Sequence, residues 1–429
     1  MPRSAAAPAN STGRILFASL AGTTIEFFDF YIYATAAVLV FPPLFFPGAD
    51  PAAGMLQSLA TFAIAFFARP LGSALFGHFG DRLGRKVTLV AALLTMGVST
   101  VAIGLLPTYA QIGVMAPLLL ALCRFGQGLG LGGEWGGAVL LATENAPPGK
   151  RAWFGMFPQL GAPLGFLLSG GCFLILTEVL NDQQFFAWGW RIPFLLSALL
   201  VLVGLYVRLK IEETPVFRHA LDTQEQVKVP MARVITHHTR ALVLGTVVAI
   251  ATFVLFYLTT VFALTWGTTA LGYSRETFLI IQLLAILCFA ATIPFAALFA
   301  DRHGRRRTLI WVTVAIAVFG LLFEPLFGSG SLVGVLLFLA LGLGLMGMTY
   351  GPLGTVLSEY FPTRVRYTGV SLSFNLAGIF GASLAPYIAT ALANRFGLQA
   401  VGYYLAGAAL LTLLALLATR ETRDQDYRR

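Results

Sequence analysis

Apolar runs of membrane-crossing length recur along the chain with short polar breaks between them. A hydrocarbon core takes about 20 apolar residues of helix to cross. The sequence supplies such runs at Arg14–Phe41, Met55–His78, Val87–Pro107, Gly113–Leu141, Trp153–Leu176 and Trp188–Leu209. After a polar stretch they resume at Ala241–Gly267, Phe278–Ala300, Thr308–Phe327, Leu332–Leu357, Thr368–Leu392 and Leu398–Thr419. The pattern predicts an all-α membrane protein of twelve transmembrane helices in two six-helix bundles. Its segments read as a cytoplasmic N-terminal tail (1–13), a first bundle (14–209), a cytoplasmic linker (210–238), a second bundle (239–419) and a cytoplasmic tail (420–429).

The two halves repeat one another. Asp81-Arg82-Leu83-Gly84-Arg85-Lys86 follows the second run, and Asp301-Arg302-His303-Gly304-Arg305-Arg306 follows the eighth. A Glu-x-x-Pro-x-x-x-Arg pattern follows the fourth run as Glu144, Pro147 and Arg151, and the tenth as Glu359, Pro362 and Arg366. A Glu-Thr pair closes the sixth run (Glu213, Thr214) and the twelfth (Glu421, Thr422). Three signals recurring in order at near-constant spacing indicate a duplicated six-helix unit. Parallel repeats of this kind place a solute site between two rocking halves near the membrane midplane.

Composition agrees: 57% of the 429 residues are hydrophobic and only 11% charged, more apolar surface than a soluble domain of this length can hide. The net charge of +9 raises nucleic-acid binding, which the placement of the charges excludes. Outside the spans, only Arg191, Arg275 and Arg395 fall on one side, and the remaining Lys and Arg fall on the other. Basic loops stay in the cytoplasm, so both termini are expected there, with the chain in a bacterial inner membrane. Cys123, Cys172 and Cys288 lie within apolar runs and read as small buried hydrophobes. The linker histidines lack metal-site spacing, so no metal and no cofactor is expected. The glycine run Gly126–Gly133 lacks the preceding strand of a dinucleotide site. It is read instead as small residues allowing close helix contact. No cleavable signal is visible, and no nucleophile or acid pair with catalytic spacing suggests an enzyme.

Charged groups inside a membrane span are costly and mark function. Five qualify: Glu26, Asp29, Arg69, Arg124 and Glu134. Glu26, Asp29 and Tyr33 are spaced to share one helix face. At about 1.5 Å per residue, Glu26 lies roughly 18 Å and Asp29 roughly 22 Å from Arg14, within the hydrocarbon core. Arg124, Gln127 and Glu134 are spaced to form one stripe. A guanidinium offers a planar fork of donors to a carboxylate. A buried carboxyl holds its proton more firmly when dry and less firmly beside a cation. A solute anion on Arg124 would therefore release an acid partner to take up a proton, which makes Asp29 and Glu26 the candidate proton-coupling groups. The other reading is a permanent ion pair between Arg124 and an acid of the first span. Arg124, Gln127, Tyr33 and Arg69 are candidate solute-binding residues of the first half, although Arg69 beside Pro70 equally suits a snorkelling or capping role. In the second half Tyr257, Gln282, Tyr350 and Asn375 are polar groups within spans, candidates for the cavity wall or for helix-to-helix bonds.

Further stretches join these: Glu26-Phe27-Phe28-Asp29-Phe30, Ala68-Arg69-Pro70-Leu71-Gly72, Arg124-x-x-Gln127-Gly128, Gly132-Gly133-Glu134, Trp190-Arg191-Ile192-Pro193-Phe194, Glu213-Thr214-Pro215 and Glu359-Tyr360-Phe361-Pro362. Together they make the chain resemble the major facilitator superfamily, and within it the bacterial metabolite:proton symporters, which carry shikimate, 2-oxoglutarate, citrate or proline/betaine. The resemblance runs from about Arg14 to Arg423. It implies a monomeric secondary transporter working by alternating access. The implied activity is proton-coupled symport of a small organic acid, with a proton-independent facilitator or exchanger of a carboxylate or zwitterion as the alternative. Its partners would be a small organic anion or zwitterion, protons and the lipid bilayer. The resemblance also implies a cytoplasmic gate in which Asp81, Arg82, Arg85, Glu134, Glu144 and Arg151 meet Asp301, Arg302, Arg305, Glu359 and Arg366. The alternative for these loops is charge that merely sets topology.

Overall fold

The computed structural model describes residues 12–48, 50–83, 85–209 and 230–425. Among these residues every regular element is a helix. The first half holds α1 (Thr12–Leu39), α2 (Pro51–Leu83), α3 (Arg85–Leu105), α4 (Met115–Leu131 continued by Glu134–Glu144), α5 (Arg151–Val179) and α6 (Ile192–Leu209). The second holds α7 (Thr239–Thr269), α8 (Arg275–His303), α9 (Arg305–Gly320), α10 (Leu332–Glu359), α11 (Arg366–Phe396) and α12 (Leu398–Ala418). Ten of these spans are long and apolar enough to cross a membrane. The two shorter ones, α3 and α9, both begin at the arginine of an Asp-Arg-x-Gly-Arg motif, so their first turns are polar.

Side-chain chemistry sets the helix ends. Ser274 Oγ accepts from Thr277 N (3.2 Å) at the start of α8, and Ser331 Oγ accepts from Gly334 N (3.1 Å) at the start of α10. Each satisfies a first-turn N–H with no partner inside the helix. Gly304 turns the chain from α8 into α9 at φ +103°, a conformation closed to most other residues. Around the outside, Leu122, Ile175, Leu202, Phe295, Trp311 and Leu414 are more than half exposed. Such a surface is stable only against hydrocarbon.

In the first half α1 packs along α5, α2 along α4 and α3 along α6; in the second, α8 packs along α10, α9 along α12, and α7 along α11 and α12. The halves meet along two seams, α5 against α8 and α10, and α2 against α11.

The fourth span departs from expectation. It is not one helix: it breaks at Gly132–Gly133, and Glu134 opens a second segment. The expected stripe Arg124, Gln127, Glu134 therefore spans two helical segments. α2 runs close alongside it. A methyl on Gly128 would stand 2.7 Å from Ala65 Cα, and one on Gly132 would stand 2.6 Å from Ser73 N. The linker also differs, since Pro230–His237 is a short helix, while 210–229 lie outside the described residues. π-helical turns occur at Leu258–Phe262, Phe323–Phe327 and Ile379–Ser383, so the predicted ninth run is α9 plus a separate turn.

Candidate functional site

α1 turns Glu26, Asp29 and Tyr33 inward; they are 3%, 0% and 0% exposed, and Arg124 is likewise wholly buried. Arg124 Nη1 donates to Gln127 Oε1 (2.9 Å), while Nε and Nη2 reach the Phe62 carbonyl at 3.4 and 3.5 Å. Because a guanidinium only donates, Gln127 must turn its oxygen to Arg124 and its amide nitrogen elsewhere. That nitrogen donates to Thr100 Oγ1 (2.8 Å), and Thr100 Oγ1 lies 3.3 Å from Asp29 Oδ2. Asp29 and Arg124 are thus joined through two neutral side chains and form no direct ion pair. Tyr33 shares a hydrogen bond with Thr61 (2.8 Å).

Aromatic rings hold the cations. The Arg124 guanidinium lies 4.0 Å from the Tyr33 ring centre, 4.4 Å from that of Phe30 and 4.9 Å from that of Phe62. Arg69 lies 4.6 Å from the Phe30 centre and 4.9 Å from that of Phe66, so Phe30 touches both guanidinium groups. Arg69 therefore points into the bundle at 4% exposure and does not snorkel. Each such contact contributes roughly 1–2 kcal/mol when desolvated, less than the several kcal/mol it costs to bury a cation. Among the described residues neither Arg69 nor Arg124 is in an ion pair. Rings take the faces of a guanidinium and leave its in-plane N–H groups directed outward, an arrangement suited to an anion. Tyr257 closes this cluster from the second half, with its ring centre 5.4 Å from Phe62 and 5.6 Å from Phe66.

A second cluster ties the halves together at the end where the C-terminus lies. Glu359 accepts from Arg151 Nη1 (2.9 Å) and Thr422 Oγ1 (2.5 Å) and forms an ion pair with Arg305, whose Nε lies 3.4 Å away. Arg305 also pairs with Asp301 (3.0 Å), whose carboxylate accepts from Ala152 N (3.1 Å) and Trp153 N (2.9 Å) at the start of α5. A carboxylate is favoured there by the partial positive charge of the helix N-terminus. Arg366 reaches Glu144 at 4.0 Å. Arg302 is exposed, and its carbonyl accepts from Arg423 (2.7 Å). Glu134, 3% exposed, lies in the first turn of its segment. The side chains of Asp81, Arg82 and Arg85 lie outside the described residues. At the opposite end Arg275 pairs with Asp182 and covers the rings of Phe185 and Phe186.

Residues 15–235 match the family described as sugar (and other) transporter, and residues 270–428 match the major facilitator superfamily. The inner membrane metabolite transport protein YhjE of Escherichia coli K12 is 60% identical over 97% of this chain and 96% of its own length. The shikimate transporter of the same organism is 36% identical over 96% and 95%. The proline/betaine transporter of Salmonella typhimurium LT2 is 33% identical over 96% and 84%. The chain belongs to the major facilitator superfamily. Its fold is that of the proton:xylose symporter XylE bound to 6-bromo-6-deoxy-D-glucose, with a TM-score of 0.75 at 19% identity over 96% of both chains. It is a multi-pass membrane transporter of the metabolite-carrying facilitators and not an enzyme.

In this facilitator the polar residues singled out in the second half divide by partner. Asn375 Nδ2 donates across the seam to Ser73 Oγ and to the Gly132 carbonyl, each at 2.8 Å. Gln282 Nε2 donates to the Thr260 carbonyl (2.8 Å) in the π-turn of α7. The Tyr350 carbonyl accepts from Gln159 (2.9 Å), whose oxygen accepts from Trp135 (3.0 Å). Of the four, Tyr257 alone stacks within the two-arginine cluster. Thr100 and Ser73 escaped the sequence reading, as did the contacts of Tyr367, which donates to the Gly133 carbonyl, and of the tail pair Glu421 and Thr422. The Gly132-Gly133 pair marks where the freed carbonyls would be, and the recurring Glu-Thr pair marks the tail. No sequence signal marks Thr100.

Proposed function

We propose that this facilitator is a proton-coupled symporter of a small organic anion, working by alternating access of its two bundles in the bacterial inner membrane, with both termini in the cytoplasm. The observation that carries the reading is the pair of buried guanidinium groups, Arg69 and Arg124, held by aromatic rings with no carboxylate of the described residues in ion-pair reach. A solute carboxylate supplies the missing negative charge, with Arg124 as its fork. Asp29, linked to Arg124 through Gln127 and Thr100, is the proton site, and Glu26 one turn before it is a second acid on the same face. Tyr33 and Tyr257 line the approach, and the Arg151–Glu359–Arg305–Asp301 cluster holds the cytoplasmic side shut while the site faces outward. Similarity to the shikimate transporter supports a carboxylate, and a protonated acid beside an occupied Arg124 keeps the net buried charge constant through the cycle.

Uptake by proteoliposomes tests this. A panel of mono-, di- and tricarboxylates with a betaine is offered with and without an inward proton gradient, then with an uncoupler. Saturable accumulation of a carboxylate that the uncoupler abolishes is expected. Equilibration that ignores the gradient would instead mean a facilitator or exchanger.

A further inference from the structure

Thr100 has one hydroxyl proton and two acceptors for it. Its Oγ1 stands 2.9 Å from the Met96 carbonyl, one turn back on α3, and 3.3 Å from Asp29 Oδ2 on α1. The same oxygen accepts from Gln127 Nε2 at 2.8 Å. Thr100 is wholly buried, and protein groups stand in each of these roles. The Gln127 amide cannot turn over while Arg124 holds its oxygen.

We propose that Thr100 is a positioning residue that carries the state of Asp29 to the Arg124–Gln127 pair by switching its single hydroxyl proton between Asp29 and Met96. This rests on the proposed role of Asp29 as proton site. With Asp29 ionised, Thr100 donates to Oδ2 and accepts from Gln127. With Asp29 protonated, the acid's own O–H donates to Thr100 Oγ1, whose proton swings to the Met96 carbonyl; the second lone pair still accepts from Gln127. Each donor along this Asp29–Thr100–Gln127 chain has an acceptor in both states. A solute carboxylate that takes Arg124 Nη1 frees the Gln127 oxygen and lets the amide turn. Thr100 then loses the bond that polarises its hydroxyl toward Asp29.

The surroundings leave Thr100 as this route. The other buried ionisable groups of α1 and the spans around it are Glu26, Tyr31 and Tyr33 on α1 itself, Arg69 on α2, Arg124 and Glu134 on α4, and Tyr257 on α7. α5 has no charged residue between Arg151 and Glu178, and α6 presents the Ser197 hydroxyl to Asp29. None of these pairs with Asp29 in a salt bridge among the described residues.

Infrared titration of the purified full chain in lipid tests the proposal, with protons as the only probe. A carboxylic-acid C=O band that titrates in the native protein and is missing in Asp29→Asn reports Asp29. Thr100→Val, matched in volume, is expected to move its midpoint up by about one pH unit, since the carboxylate loses a donor. Thr100→Ser should restore the native midpoint. Gln127→Leu should shift the midpoint in the native background and not in Thr100→Val, the non-additivity of groups acting through one another. A midpoint unmoved by Thr100→Val, a serine variant as altered as the valine one, or additive shifts would each overturn the relay while leaving Asp29 a proton site. Absence of any titrating band lost in Asp29→Asn would remove the proton reading and the relay together.

Discussion

At the scale of single residues the centre of this transporter is a problem of buried charge. Two guanidinium groups lie buried, one over the rings of Tyr33, Phe30 and Phe62 and the other over Phe30 and Phe66. Replacing Arg124 by lysine keeps the charge and removes the planar fork. A hydrogen bond to a charged group contributes about 1.5–3 kcal/mol, so Arg124→Lys should raise the half-saturation for solute uptake tenfold or more. Unchanged half-saturation in the proteoliposome assay would remove Arg124 from the solute site. The charged members of this centre were readable in the sequence because a cation or acid inside an apolar run has few innocent explanations. Thr100 was not: hydroxyls are common in membrane helices, and its partners Asp29 and Gln127 lie 71 and 27 residues away.

Among the elements, the broken α4 does most to shape the seam. Its two ends expose carbonyls at Gly132 and Gly133, and these accept from Asn375 and Tyr367 of α11 in the other half. Gly132→Ala would drive a methyl into the α2 backbone, and overpacking of this kind costs about 1–3 kcal/mol. The expected result is a lower thermal unfolding midpoint in detergent. Gly407→Ala, on the outside of α12 with nothing within 4 Å of the added atom, should leave that midpoint unchanged or raise it. Equal midpoints for the two variants would mean that α2 and α4 are not so closely packed. Span number and order follow from hydropathy alone, which is why they were legible. The break was not, because a glycine run fits a close-packed straight helix as well as an interrupted one, and its spacing does not decide between them.

For the whole molecule, Glu359 gathers contacts from three places: α5 through Arg151, α9 through Arg305 and the C-terminal segment through Thr422. Removing one charge from a buried, paired group costs about 3–5 kcal/mol, a loss that the proposed latch bears only in its closed state. Glu359→Gln should therefore speed labelling of a thiol placed at Thr355, beside Arg151, at least tenfold in a background free of native cysteine. An unchanged rate would show that the halves are held shut elsewhere. The sequence repeat identified these acids and bases as related pairs. Which met which depends on the approach of the two halves, and that is not encoded locally.

The tail contributes more than its length suggests. Glu421 accepts from Arg305 N (2.8 Å) and Arg306 N (3.1 Å), capping α9, and the Gln425 carbonyl receives Arg151 (2.9 Å). Truncation after Thr419 removes all of these and should speed thiol labelling at Thr355 further than Glu359→Gln does alone. In the proposed latch residues 421–425 are a working part of the clasp, so a purification handle or fluorescent fusion grafted beyond them risks recording the behaviour of a carrier whose door has already been loosened.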